Sequence, residues 1–323
     1  MFTHKDIEYR SVFVVNCLEK RALRVVSGEL LLEDTEAKKT LTKLPFQKIL
    51  ALFVIGNISI TTPLIDKCSK FGIPLVVMKG NFRPVFFYSI TAEANFLLRK
   101  KQYEYKKGNL QIPKILVENK IRNQIRLLEK TRIKQGLIQS AKEQCNKLLA
   151  LLPEAPAYES VMGIEGKAAN LFFSAYFEPF GWKARYPRVK TDPINATLDI
   201  GYTLLFNYVE AFARLFGFDP YMGVYHQLWF KRKSLICDLV EPFRCLIDQQ
   251  VRKAFNLGQC KPADFNLIKN EYILKRERSS DYSKMFFDVL IEQKAEFFQY
   301  MQSYYRCFMQ QRESDKYPRF NIQ

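Results

Sequence analysis

Residues 48–89 read KILALFVIGNISITTPLIDKCSKFGIPLVVMKGNFRPVFFYS, and this stretch decides the fold class. KILALFVIG is a continuous apolar run that turns at Gly56-Asn57, the pattern of a buried strand. In TTPLIDKCSKFG a threonine cap, Pro63 near the first turn and Gly72 just past the end predict a short helix. IPLVVMKG is apolar on both alternating faces, as expected of a strand covered on both sides, and RPVFFYS adds another strand. Toward the N-terminus, SVFVVN is short and β-branched, and ALRVVSGELLLE carries a Ser-Gly turn between two apolar runs, a hairpin signal.

After Thr91 the period changes. AEANFLLRKKQYEYKK predicts a helix ending at Gly108, and PKILVENKIRNQIRLLEKTRIKQ places Ile115, Leu116, Ile121, Ile125 and Leu128 at helical spacing. Lys114, Lys120, Arg122, Arg126, Lys130, Arg132 and Lys134 give that helix a basic face, either solvated or set against DNA backbone. Asp192-Pro193 starts a helix that stops at Gly217, with Asn195 and Tyr202 expected on its packed face or, as the alternative, positioning the active site. Residues 243–311 read as helical, with 261–281 a small insertion or helical excursion with a charged tip, 282–311 one long amphipathic helix, and a polar, flexible tail beyond. The expected fold is α+β, with a small N-terminal β-rich domain (1–90) followed by a larger all-α domain (91–323).

Lys and Arg outnumber Asp and Glu by 50 to 33, a formal charge of +17 that favours a polyanionic partner or marks a merely basic protein. The seven cysteines are scattered, without a C-x-x-C, as in a reducing cytosol. The polar N-terminus does not resemble a signal peptide, and no apolar run is long enough to cross a bilayer. There is no Walker motif, no G-x-S-x-G, no zinc-finger spacing and no internal repeat, so the chemistry expected here needs no ATP.

The candidate site lies between residues 161 and 244, in Glu165, His226 and the Asp238/Glu241 pair. The chain has two histidines, and the other, His4, is in the N-terminal segment. One imidazole with several carboxylates is an oxygen-rich donor set, better suited to Mg²⁺ or Mn²⁺ than to a structural zinc. Spacing alone does not decide this, because acidic residues on helices are usually solvated. Glu165 is expected at or near a helix start, where Gly163 and Gly166 would admit a phosphate and where the macrodipole alone would also favour a carboxylate. Asp238 and Glu241 share a face if their helix continues through Pro242, and two adjacent carboxylates repel without a cation between them. Lys183, Arg185, Arg188 and Lys190 alternate with aromatic and proline residues in a loop, and Lys231, Arg232 and Lys233 closely follow His226.

Four blocks then occur in order: G-x-E-G-x-A-A with a following Y-F, D-P-x-N-A-x-L-x-x-G-Y-T-L-L, G-x-D-P-Y-x-G-x-x-H, and S-L-x-x-D-L-x-E-P-F-R. The chain closely resembles the CRISPR-associated spacer integrases in these blocks and, more loosely, along its whole length. The resemblance implies a metal-dependent DNA endonuclease and integrase that joins the 3′-hydroxyl ends of a double-stranded prespacer to the CRISPR repeat. It implies Glu165, His226 and Glu241 as ligands of Mg²⁺ or Mn²⁺, with Asp238 as a fourth acidic neighbour, and either Asp238 or Glu241 as the direct ligand. Lys231, Arg232 and Arg188, with Lys183 and Arg185, are the candidates for DNA phosphates on charge and proximity in sequence. It further implies a homodimer paired through the N-terminal domain, a small ferredoxin-like partner bridging two dimers, and a prokaryotic cytoplasm. The competing readings are a non-catalytic basic DNA scaffold and a stand-alone metal nuclease acting on branched DNA.

Overall fold

In a computed structural model, which describes residues 4–17, 20–89, 94–105, 108–131 and 136–323, a short helix α1 (His4–Tyr9) leads into seven strands and one helix. These are β1 (Ser11–Cys17), β2 (Arg21–Val26), β3 (Glu29–Asp34), β4 (Lys39–Pro45), β5 (Ile49–Gly56), α2 (Thr62–Phe71), β6 (Leu75–Met78) and β7 (Pro84–Tyr88). One sheet has the order β1-β5-β6-β7, with β1, β5 and β6 parallel and β7 antiparallel at the edge. The other is an antiparallel meander β2-β3-β4. The Ser-Gly hairpin forms as expected, with Ser27 at φ 51° and Gly28 at φ 80° supplying the left-handed turn.

β5 is buried at every position because its two faces serve different cores. Ile49, Leu52 and Val54 face the meander and α2, whereas Leu50, Ala51, Phe53 and Ile55 face the helices. A register shift against β1 between Ile49 and Ala51 puts Leu50 and Ala51 on the same side.

The helical part comprises α3 (Phe96–Glu104), α4 (Gln111–Glu129), α5 (Gly136–Leu151), α6 (Tyr158–Tyr176), α7 (Pro193–Leu215), α8 (Ser234–Val240), α9 (Arg244–Asn256), α10 (Ser279–Glu292) and α11 (Lys294–Gln310). The change from strand to helix falls between Tyr88 and Phe96, and the expected boundary at 90/91 lies outside the described residues. α7 runs through the middle of this part. At Gly201 an added Cβ would meet Ile247 Cγ2 at 2.4 Å and Phe286 Cε1 at 2.7 Å, so only glycine lets α9 and α10 pack this closely on it. Among the described residues, no helix is long and apolar enough to cross a membrane.

Four sequence expectations change. Residues 261–281 hold a two-stranded hairpin, β8 (Phe265–Ile268) and β9 (Glu271–Leu274), rather than a helical excursion. Its turn residues Lys269 and Asn270 both have positive φ, and the alternation in FNLI and EYIL is the strand signal that the surrounding charges obscured. The long C-terminal helix is broken at Gln293 into α10 and α11. The tail is docked: Tyr317, Phe320 and Ile322 are buried, and Asn119 and Asn123 on α4 pair with the backbone of Phe320 and Ile322 at 2.6–3.1 Å. Lastly, α4 is buried over most of its surface and keeps only a narrow basic stripe, with Arg122 and, just past its end, Lys130 exposed. Lys114 binds Pro153 O, Arg122 binds Glu118, Arg126 binds Asn321, and Lys120 points into the candidate site described next. Arg132 and Lys134 lie outside the described residues.

Candidate active site

Glu165 lies in the interior of α6 rather than at its start, since the helix already begins at Tyr158. Its flanking glycines do not break the helix. An added Cβ at Gly163 or Gly166 would meet nothing within 4 Å, so this face of α6 is open beside the carboxylate. Glu165 Oε1 accepts from Lys120 Nζ on α4 at 2.5 Å, and Oε2 accepts from the Tyr225 hydroxyl.

α8 stops at Val240, because Pro242 converts the next residues, Glu241–Phe243, into a single 3₁₀ turn before α9 begins. Asp238 and Glu241 therefore serve different partners instead of sharing one cation. Glu241, almost wholly buried, has Oε1 on Arg244 Nε at 2.9 Å and Oε2 2.7 Å from Lys120 Nζ, without an aligned hydrogen bond at Oε2. Burial pushes the Glu241 carboxyl up, but Arg244, Lys120 and His226 outweigh it and hold the group down at about 2. Asn123 also donates to Pro242 O at 3.0 Å, which ties this turn to α4 and the tail.

Asp238 is fully buried and organises the loop before α8. Its Oδ2 accepts from the backbone N–H of Val224 and Tyr225 at 2.7 and 3.1 Å, and its Oδ1 from the N–H and Nδ1 of His226 at 2.7 and 2.8 Å. Because a carboxylate only accepts, Nδ1 carries a proton, so in the neutral imidazole the lone pair is on Nε2. Gly223 is required here, since an added Cβ would sit 2.6 Å from Asp238 Oδ2 and 2.7 Å from the Ser234 backbone. The same loop is held from α3, where Gln102 bonds the backbone of Asp219 and Met222, and from α8, where Leu235 N–H donates to Pro220 O. His226 and the adjacent Tyr225 are edge to face, with ring centroids 5.1 Å apart.

Beneath Glu241 the arginines and Tyr202 form one block. Arg244 lies over the Tyr202 ring at 4.6 Å, Arg185 lies over it at 5.4 Å, and the Tyr202 hydroxyl donates to buried Asp248. Burial, opposed by Tyr202, Arg244, Lys120 and Arg185, pushes the Asp248 carboxyl up to about 7. Arg185 was a candidate for DNA, but its guanidinium is engaged by Asp199 at 2.5 Å and Asn195 at 2.8 Å, and Asn195 also binds Ala184 O and Tyr186 N–H. Arg185 and Asn195 thus shape the basic loop, while Lys183 and Arg188 are exposed on it. Lys231 and Arg232 are likewise exposed, on a loop whose tip presents Trp229 and Phe230 to solvent, whereas Lys233 is drawn to Glu210 at 2.6 Å.

The family model described as CRISPR associated protein Cas1 matches residues 17–287. The chain belongs to the Cas1 family. It is 32% identical over 255 residues to a CRISPR-associated endonuclease Cas1 of Thermodesulfovibrio yellowstonii, spanning 74% of this chain and 80% of that one. A Cas1 endonuclease of Thermus thermophilus is 26% identical over 284 residues, 84% of each chain. The fold is also that of a chain in a partial Cas6-RT-Cas1–Cas2 complex (TM-score 0.72, 20% identity, 97% of this chain and 100% of that one). It is shared with a casposase bound to integration product (TM-score 0.77, 17% identity, 97% and 95%).

In this Cas1 protein the structure brings Glu165 and Glu241 onto one ammonium and sets His226 beside them through Tyr225 and Asp238. Among the described residues, no three His, Cys, Asp or Glu side chains stand close enough together, as arranged, to hold a metal ion. The donor chemistry nevertheless fits a divalent cation. Two carboxylates share a cation already, and Glu241 Oε2 is buried without an aligned hydrogen bond. Sequence reasoning missed Lys120, Tyr225 and Arg244. The signal for Lys120 was its place three residues after Val117 and four before Gln124, on a face of α4 whose neighbours are buried.

Proposed function

We propose that this Cas1 enzyme performs metal-dependent transesterification in CRISPR adaptation. The 3′-hydroxyl oxygen of a double-stranded prespacer attacks a phosphodiester at the edge of a CRISPR repeat. A P–O bond forms as another breaks, the hydroxyl loses its proton, and the cut strand leaves with a 3′-hydroxyl. Phosphodiester bonds are conserved, so no ATP is needed. The observation that carries the reading is the meeting of Glu165 and Glu241 on one cation.

Glu165, Glu241 and His226 Nε2 are the groups that would hold Mg²⁺ or Mn²⁺, and such an ion would polarise the target phosphate and lower the pKa of the attacking hydroxyl. Asp238 keeps the His226 proton on Nδ1 and fixes the ring. Arg244, clamped over Tyr202, fixes one oxygen of Glu241, and Tyr225 fixes one oxygen of Glu165. Lys183, Arg188, Lys231 and Arg232 neutralise DNA phosphates approaching over the open face of α6. The reading includes a homodimer paired through the β-rich part, supported by the exposed edge strand β7 with Val85 and Phe86 uncovered. It also includes a small ferredoxin-like partner bridging two dimers, supported by the similarity to a Cas1–Cas2 complex.

The test is strand transfer from a labelled 3′-hydroxyl oligonucleotide into a repeat-bearing plasmid with Mg²⁺ or Mn²⁺. His226→Ala and Glu165→Gln are expected to abolish joining while DNA still binds. Wild-type joining by either variant removes the ligand assignment, and cleavage of branched DNA without any joining by the wild type would make the protein a nuclease only.

A further inference from the structure

We propose that Lys120 is the resident counter-ion of the metal site: its ammonium holds Glu165 and Glu241 together in the metal-free protein and must leave them before a divalent cation binds, so that Lys120 sets the site's metal affinity. The inference rests on the metal-site reading above.

Lysine is rarely buried unless paired, and the Lys120 side chain is only 12% exposed on a core helix. Its ammonium lies 2.5 Å from Glu165 Oε1 and 2.7 Å from Glu241 Oε2. The opposite oxygen of each carboxylate is held by another group, Glu165 Oε2 by Tyr225 and Glu241 Oε1 by Arg244. The protein therefore fixes one oxygen of each ligand and turns the other toward a common point. That point is filled by an ammonium, and a hard divalent cation drawing carboxylate oxygens to about 2.0–2.2 Å cannot share it. Without Lys120 the two carboxylates would repel across the gap, which binding of a divalent cation would relieve. Lysine suits a displaceable role, because its ammonium rides on a flexible four-carbon stem and lacks the rigid fork that locks arginine onto carboxylates. Tyr225 and Arg244 stay in place when it withdraws, so the ligands keep their orientation.

A purely structural ion pair makes the opposite forecast for metal binding, since losing it would loosen the ligands and weaken or leave unchanged their affinity. The full chain is titrated with Mn²⁺ alone, followed by calorimetry and by the loss of the free-ion paramagnetic resonance signal, and its melting temperature is recorded with and without Mn²⁺. Lys120→Met is expected to bind Mn²⁺ about tenfold or more tightly than wild type, to melt lower without metal, and to recover on adding it. Lys120→Arg, which keeps the charge, is expected to bind no tighter than wild type. Unchanged or weaker binding by Lys120→Met overturns the proposal while leaving the metal site standing. Absence of Mn²⁺ binding in wild type, or its persistence in Glu165→Gln, removes the metal-site reading itself. Should Lys120→Met fail to fold, Lys120→Gln is titrated in its place, with tighter binding supporting the proposal and equal or weaker binding overturning it.

Discussion

Asp238→Asn separates the organiser of the site from its ligands. The carboxylate is fully buried and accepts four hydrogen bonds, from the N–H groups of Val224, Tyr225 and His226 and from His226 Nδ1. An asparagine retains one acceptor oxygen but turns an NH₂ toward donors, so about two of the four bonds are lost. Bonds to a charged acceptor contribute about 1.5–3 kcal/mol each, and some is recovered as the loop relaxes, which leaves a loss of about 2–5 kcal/mol. At roughly 2 °C per kcal/mol for a chain of this length, the melting temperature falls by about 4–10 °C. Strand transfer is expected to fall by about 10–100-fold, the usual effect of removing the group that orients a metal-binding histidine. His226→Ala, measured beside it, should lose joining without the large thermal shift. Differential scanning fluorimetry and the strand-transfer assay read both quantities. An Asp238→Asn protein that melts within a degree of wild type and joins DNA at the full rate would refute the role derived from these four contacts.

Asp248 and Glu241 give opposite pH signatures. Asp248 is raised from 3.8 to about 7, so between those values the folded state keeps a proton that the unfolded chain has lost, and stability falls as pH rises through the window. Asp248→Asn should flatten that decline and raise the melting temperature at pH 8, and a variant tracking wild type across the range would contradict the burial argument. Glu241 is lowered from 4.5 to about 2, so its contribution is full above 4.5 and is lost as pH falls toward 2; Glu241→Gln should be less sensitive to acid there, and equal acid sensitivity would count against it. Replacing Lys231 and Arg232 together by alanine should flatten the log–log salt dependence of duplex binding by about one to two units, with an unchanged slope showing that neither touches phosphate. Sedimentation at micromolar concentration should find a homodimer, and a persistent monomer would rule out pairing through the β-rich part.

Most N-terminal strands were legible because their signal is local, whereas β4, rich in polar and charged residues, and β8 and β9, flanked by them, were not. Apolar runs and the Ser27-Gly28 and Gly56-Asn57 turns needed no tertiary information, and Gly72 closes α2 in the left-handed conformation as its position suggested. Errors arose where one residue had two local meanings. Glu165 was expected at or near a helix start, whereas α6 begins at Tyr158 and carries Gly163 and Gly166 on an open face. Lys120 looked like one of seven basic residues on a helix, and only the approach of α6 and the Glu241 turn gives it a partner. Asn119 and Asn123 carried no sign of the tail they bind, because their partners are backbone groups of residues about two hundred positions away. The proposed ligand set came only from the four-block resemblance, since a single imidazole and scattered carboxylates are common in any basic protein.

β5 has a mechanical consequence. Phe53 packs on Tyr208 of α7 and Phe287 of α10, with ring centroids 5.9 and 5.1 Å away, while its neighbours Leu52 and Val54 anchor the opposite core. Neither half can melt without stripping one face of a strand that the other half needs. The β-rich and helical parts should therefore behave as one calorimetric unit, with heat unfolding them in a single transition. A cut between them would leave two fragments with matching sticky faces instead of two independent modules. Strain entering at the sheet, such as that imposed by a second subunit, reaches α7 through Phe53 without crossing a hinge.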